Sequence, residues 1–477
     1  MPTSIYTDFS KRDFTSSFER LLSILSKEVP ELTDRNHSDA GISLIRLLCY
    51  QTDMLSFYID EVFSEGYIST ARFRQSVIDL ATLVDVRPKL SSPASCTMEV
   101  SKKPGFENLE IIIEPNSQFT RQDGVSYINL DRVVIPAGSV SASFDVFQMT
   151  QHKLDVTKSD FEQVANFKKP MLYLGKNVVS EFVELYDKDS DWYWNEVDSF
   201  YRSLPYSTDF MLVLYADDYK GQNDSVFLVI GDGRYGTDIF PDNATVTFYT
   251  TEGEVGNCGT GVIDDPPSNL RHYVECSNTT VASGGALAED TDSFRSRLPL
   301  VVRTQRRGIT ESDYEALIRS IPGVLYCQAV SRSSDSSWPY MYIFIYVLPE
   351  GGGKMSPYLS NVVTNKCMEW GHFGDWAGRY VIMDANEVKV NVKARIGVSN
   401  GFRTSKVVTE VHKAIQNFFL PKNVLIGRGI SFASLHKAVS LVPGVEWVEF
   451  DSPSGSIAPS AGDTYVLGSV SIDHGKK

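Results

Sequence analysis

A short signature and a turn occur twice in the C-terminal part of the chain. Arg307-Gly-Ile-Thr310 is followed by Ile321-Pro-Gly-Val324, and Arg428-Gly-Ile-Ser431 by Val442-Pro-Gly-Val445, at an offset of 121 residues. Self-similarity at a fixed spacing means one supersecondary unit used twice. In each copy Thr310 or Ser431 offers a capping oxygen to a helix, Pro-Gly ends that helix, and Val324 or Val445 opens a strand. Thr310 with Asp313 forms a capping pattern in the first copy only. Val324–Val330 with Tyr340–Leu348, and Val445–Phe450 with Thr464–Ile472, complete a unit of helix, strand, strand. Tyr340–Leu348 is apolar throughout, as a strand covered on both faces should be, whereas Glu387–Ile396 alternates and reads as one-sided; Ser405–Phe419 reads as an amphipathic helix. The repeat therefore predicts two small α+β domains, 283–350 and 351–477, with Gly308, Pro322, Gly323, Gly429, Pro443 and Gly444 as structural positions.

The middle of the chain carries a more ambiguous pattern. Gly231, Gly233 and Gly236 follow the apolar strand Val226–Ile230 and satisfy G-x-G-x-x-G, the fingerprint of a dinucleotide site. That site needs a helix directly after the turn, so that backbone N–H groups face the pyrophosphate. Here a loop containing Pro241 leads into Ala244–Tyr249, which alternates with period two. The reading is a glycine-bent β-structure with no cofactor, in which Gly231, Asp232, Gly233, Gly236, Pro241, Gly256 and Asn257 set backbone geometry. Short alternating segments (Thr97–Ser101, Glu110–Glu114, Val125–Asn129, Phe144–Met149, Phe210–Tyr215) make 91–282 a β-rich domain.

Residues 1–90 read as helical. Phe14–Glu28 places Phe14, Phe18, Leu21, Leu22 and Leu25 on one stripe before Pro30. His37-Ser-Asp39 offers caps to a helix ending near Glu65, about 27 residues and roughly 40 Å long. Ile45, Leu48, Leu55, Ile59 and Val62 lie along one side of it, and Leu44, Leu47, Met54, Phe57, Tyr58 and Phe63 widen the apolar surface beyond one stripe. Such a helix is covered on more than one side, by a third helix (Ala71–Val84) or by another chain. Linkers are expected near residues 90, 283 and 350, the last a flexible Glu350-Gly-Gly-Gly-Lys354 connection.

A net charge of −15 without a long basic run offers little to neutralise phosphates, so nucleic acid is not an expected partner. With neither a leader-like start nor a long apolar run, membrane insertion is not expected, and the protein is read as made in the cytoplasm. Six dispersed cysteines fit buried reduced thiols, and seven scattered histidines show no metal-ligand spacing. Acidic groups such as Asp187–Asp191 and Asp217–Asp218 lack the spacing of a calcium loop. The enzymatic lead is Gly397-Val-Ser-Asn-Gly401, a G-x-S-x-G with His412, His436 and His474 downstream. Its strand is polar on one side and its helix starts late, so Ser399 reads as part of a turn, and no catalytic or metal site is expected.

Taken together these stretches resemble the baseplate J-like family, the wedge proteins of contractile phage tails. The resemblance rests on Asp39-Ala-Gly-Ile-Ser-Leu-Ile-Arg-Leu-Leu-Cys-Tyr50, Tyr67–Arg72, Leu83–Pro88, Ile230-Gly-Asp-Gly-Arg-Tyr-Gly236 with Pro241 and Gly256-Asn-Cys258, Glu289–Arg297, Asp313–Ala316 and both Pro-Gly-Val turns. Ile230 and Cys258 depart from the Phe and Val of the family pattern. The resemblance implies a non-enzymatic virion component of the tail baseplate. Its copies would pair with one another in a sixfold ring around the hub, with other wedge, hub or sheath-initiating proteins as partners. It implies further that Ile45, Leu48, Leu55, Ile59 and Val62 face other subunits, and that rigid domains pivot at the linkers on contraction. A wedge protein of a bacterial contractile injection system, a serine hydrolase using Ser399, and a peripheral fibre or receptor-binding protein are the alternatives.

Overall fold

The structure is a computed structural model. It describes residues 13–474 apart from 32, 34, 37–38, 85, 158–159, 161–170, 217–223, 242, 335–336, 340–341, 371–379 and 400. His37 and Ser38, offered above as caps, Tyr340 and Met341 of the expected strand, and the acidic pair Asp217 and Asp218 lie outside the described residues.

The fold is multidomain α+β, with helices leading into a β-rich centre and two small mixed units following. Helix α1 (Phe14–Glu28) packs on α2 (Ala40–Glu65), where the ring of Phe14 stacks on Tyr50 at 4.3 Å and its amide donates to Asp53. Asp39 starts α2 by accepting from the amides of Gly41 (2.8 Å) and Ile42 (3.0 Å), two donors with no intrahelical partner. At the far end the Glu65 carboxylate accepts from the amides of Arg72 and Phe73, the two residues that lead into the next helix, α3 (Arg74–Thr82). That third helix buries Val77, Ile78 and Ala81 in the core of the β-rich centre, beside Phe210, Leu228 and Trp194. Phe294, Leu298 and Val301 of α4 (Thr291–Thr304) enter the same core.

The centre is built mainly of antiparallel strands, with the short edge strand Asn195–Glu196 parallel to Asp209–Tyr215. A six-stranded sheet runs in the order Ile263–Asp265, Gln118–Arg121, Ser126–Ile128, Ser141–Phe147, Ser95–Lys102, Val274–Asn278. Two four-stranded sheets share the core with α3 and α4: one carries Ala244–Thr250 between Glu184–Asp187 and Thr150–Val156, the other Ser225–Ile230 between Asp209–Tyr215 and Met171–Lys176.

The repeat appears as expected in its helices and turns, and differently in its sheets. Helix α5 (Glu311–Ile318) has the reciprocal Thr310–Asp313 capping box, while Ser431 caps α8 (Phe432–Ser440) alone. Gly323 and Gly444 end the turns with φ of +81° and +93°. In the first copy Ile343–Pro349 is the central strand, antiparallel to Val324–Ser331 and parallel to Tyr380–Asp384, with Ile345 and Val347 buried on one face and Tyr346 and Leu348 on the other. In the second copy the two repeated strands, Val445–Ser452 and Asp463–His474, are not neighbours. Asn386–Val398, which precedes the repeat, lies between them and buries Val390, Val392, Ala394 and Ile396 under α7 (Thr404–Phe418) and α8. Both sheets thus pair one antiparallel and one parallel edge with a central strand, but draw that strand from different points in the chain.

Candidate assembly surface and the glycine motif

The apolar side of α2 is largely uncovered. Val62 is 73% exposed, Leu48 62%, Leu55 52% and Ile59 48%, while Ile45 is half-buried. Leu44, Leu47, Met54, Phe57, Tyr58 and Phe63 are also exposed, whereas Ile42, Cys49, Ser56 and Asp60 form the buried seam. Leu55, Tyr58, Ile59, Val62, Phe63, Gly66 and Tyr67 line an open groove of about 600 Å³. A soluble monomer rarely leaves so continuous an apolar patch in water, because each Å² removed from water is worth about 25 cal/mol. Among the described residues no helix is long and apolar enough to cross a membrane, and no three His, Cys, Asp or Glu residues cluster as a metal site. All six cysteines are free thiols, five of them buried.

The glycine motif is a braced turn between two β-sheets. The Asp232 carboxylate accepts from the amides of Arg234 (3.1 Å) and Tyr235 (2.9 Å), and the Gly233 amide donates to the Gly236 carbonyl (3.0 Å). Gly233 and Gly236 have φ of +77° and +75°. A Cβ on Gly231 would lie 2.4 Å from the Gly236 carbonyl carbon. Val at 236 would combine a β-branched side chain with left-handed backbone and press on Phe200, so Gly236→Val should lower stability by about 1–3 kcal/mol, read from the chain's denaturant midpoint. An unchanged midpoint would refute this account of the turn. Pro241 is half-buried in the loop that follows.

The other motif glycines mark close approaches. Gly308 lies against the Tyr314 ring, Gly429 against the Ile457 carbonyl, and Gly444 against Phe402. Gly256 packs on Gln148, and its carbonyl accepts the Tyr127 hydroxyl at 2.6 Å. Asn257 does something the sequence did not disclose: its side-chain amide donates to the Gly285 carbonyl (2.8 Å) and accepts from the Gly285 amide (2.9 Å). Pro322 and Gly323 lie close by, with the Gly323 carbonyl accepting from Glu350 N (2.9 Å).

Ser399 follows the end of its strand; its amide donates to Gly444 O (2.9 Å), and its carbonyl accepts from Phe402 N. His436 has Nδ1 3.1 Å from Ser440 Oγ, within its own helix. Among the described residues no hydrogen bond joins Ser399 to a histidine.

Residues 13–83 match the family described as bacteriophage baseplate protein, N-terminal domain, and residues 390–473 match the baseplate J-like protein C-terminal domain. Both ends of the chain thus match baseplate domain families. The resemblance read from the motifs holds. The chain is 20% identical over 343 residues to baseplate wedge protein gp6 of Enterobacteria phage T4, an alignment that covers 65% of this chain and 49% of that protein, so the chain spans about half the length of this curated relative. It also aligns with a chain in the cryo-EM structure of the sixfold-symmetrised anti-feeding prophage baseplate, covering 94% of this chain and 90% of that one at 13% identity and a TM-score of 0.35, too loose a likeness to support an argument.

Proposed function

We propose that this chain is a structural subunit of a contractile-tail baseplate in the virion, a wedge component that joins other baseplate proteins, and further copies of itself, through the exposed face of α2. The observation that carries the proposal is the uncovered row Leu48, Leu55, Ile59 and Val62 on a helix inside the baseplate N-terminal domain. Permanent interfaces are large and apolar, resembling a core cut in half, and this row has that chemistry. The reading includes no catalysis: Ser399 is engaged through its backbone in a turn, and its strand alternates exposed and buried residues rather than ending in the buried elbow a nucleophile needs.

Leu48→Glu with Leu55→Glu tests it. Both side chains are exposed, so the variant should fold with an unchanged melting profile, yet it should fail to co-purify with the other baseplate subunits and leave tails unassembled. Co-purification at the wild-type level would refute the assembly face.

A further inference from the structure

The segments read as linkers near 90, 283 and 350 are joined to one another. Ser92 and Ala286 exchange both backbone hydrogen bonds (2.9 and 3.0 Å), as do Ser95 and Ser283 (3.0 and 3.2 Å). The Ser92 hydroxyl donates to Gly284 O at 2.6 Å, the Ser283 hydroxyl to Lys354 O at 2.9 Å, and the Ser95 and Ser356 hydroxyls lie 2.6 Å apart. Gly284 N donates to Glu350 O, and Glu350 N to Gly323 O, both at 2.9 Å. Ser92, Ser95, Ser283 and Ser356 are all buried. Asn257 holds Gly285 through both its N–H and its carbonyl, and a Cβ on Gly351 would come within 2.8 Å of the Asn257 side chain. The run Ser283-Gly-Gly-Ala286 is small because three other segments pass against it; a Cβ on Gly285 would lie 2.5 Å from Gly253 O. Beside this contact, Tyr358 of α6 (Pro357–Trp370) meets Phe147 at 4.9 Å and donates to Glu181.

We propose that residues 91–95, 253–258, 283–286, 322–323 and 350–356 form a clasp. It locks the β-rich centre and the first repeated unit into one body, with the Asn257 amide as its pin, and it opens as a single cooperative event. No one of the three connectors bends while the clasp is closed, because each is hydrogen-bonded to the next and a buried polar group that loses its partner is costly. The inference does not depend on the assembly reading, since every contact in it lies within one chain.

Hydrogen exchange on the full chain, followed by mass spectrometry in low denaturant, tests the clasp. In the wild type, peptides covering 91–95, 283–286 and 350–356 should share one opening free energy and one denaturant slope. Asn257→Ala should accelerate all three by a common factor of about ten- to a hundredfold. Acceleration confined to 283–286 would overturn the proposal, as would three different slopes in the wild type. A second variant, Ser95→Cys with Ser356→Cys oxidised to a disulfide, should slow exchange at the amides of Gly285 and Ala286, which are bonded to Asn257 and Ser92 and to neither cross-linked residue. Unchanged exchange there, compared with the reduced form, would likewise overturn it.

Discussion

Asp224→Ala should be the most damaging single substitution, lowering the stability of the β-rich centre by about 3–5 kcal/mol. Asp224 and Arg74 are both buried, and the guanidinium Nε lies 2.9 Å from each carboxylate oxygen, while another of its nitrogens reaches the Thr291 hydroxyl at 3.3 Å. The pair ties α3 to the start of the strand Ser225–Ile230 and to the first turn of α4. Removing the carboxylate leaves a buried cation without its hydrogen-bonded counter-charge, and desolvation then dominates, with Asp290 at the start of α4 an anion that acts on Arg74 without a hydrogen bond to it. Amides of α3 should exchange about a hundred- to a few thousandfold faster in the variant. Replacing both partners, Arg74→Met with Asp224→Leu, should restore most of the loss, since an apolar pair carries no desolvation cost. A variant Asp224→Ala within 1 kcal/mol of the wild type, or a double variant no better than the single one, would show that the charge is not what matters.

The second large effect is a dependence on alkaline pH. Lys89 lies at the edge of the clasp, where its ammonium donates to Val324 O at 3.0 Å and its amide donates to the Glu289 carboxylate. Burial pushes its pKa from 10.5 down to about 8; Glu289 and Glu350 oppose that change, and Arg297 and Arg319 add to it. Because the folded value lies below the unfolded one, the unfolded chain binds more protons between pH 8 and 10.5, and stability must rise with pH across that window. The gain reaches up to about 3 kcal/mol at 1.36 kcal/mol per unit. Buried thiols and tyrosines, whose pKa values burial raises, act in the opposite sense at high pH, so the comparison is with Lys89→Met. Denaturant midpoints at pH 7.5 and pH 10 should converge between the two proteins if the variant is the more stable at the lower pH, with the wild type gaining relative to Lys89→Met. Equal pH slopes would remove Lys89 from the account.

Local signals carried much of the fold into view. Asp39, Thr310 and Ser431 are caps, the two Pro-Gly turns end helices, and the alternation of Glu387–Ile396 gives a strand buried on one side, because each depends on atoms a few residues away. The exposed row on α2 was legible for a related reason: it holds more apolar residues than one helix contact can cover. What stayed hidden depends on distant segments. Ser-Gly-Gly-Ala has the composition of a flexible linker and also that of a tightly packed crossing, and only the partners at 92, 257 and 350 distinguish the two. The same limit applies to Glu350–Lys354, whose glycines permit close contact with Asn257, Pro421 and Val281 rather than looseness. Arg74 was equally invisible, since nothing near it in sequence announces Asp224.

The differing origins of the two central strands bear on how the chain comes to be folded. Ile343–Pro349 follows its antiparallel neighbour Val324–Ser331 after a short connection, so that hairpin closes as soon as both have been made. Asn386–Val398 must instead wait through all of α7 and α8 for its antiparallel partner Val445–Ser452. Its ladder edges stay open meanwhile, and the longer loop to be closed costs more entropy before any pairing rewards it. The second unit should therefore be the slower to form on the ribosome and the one that needs protection from neighbouring nascent strands.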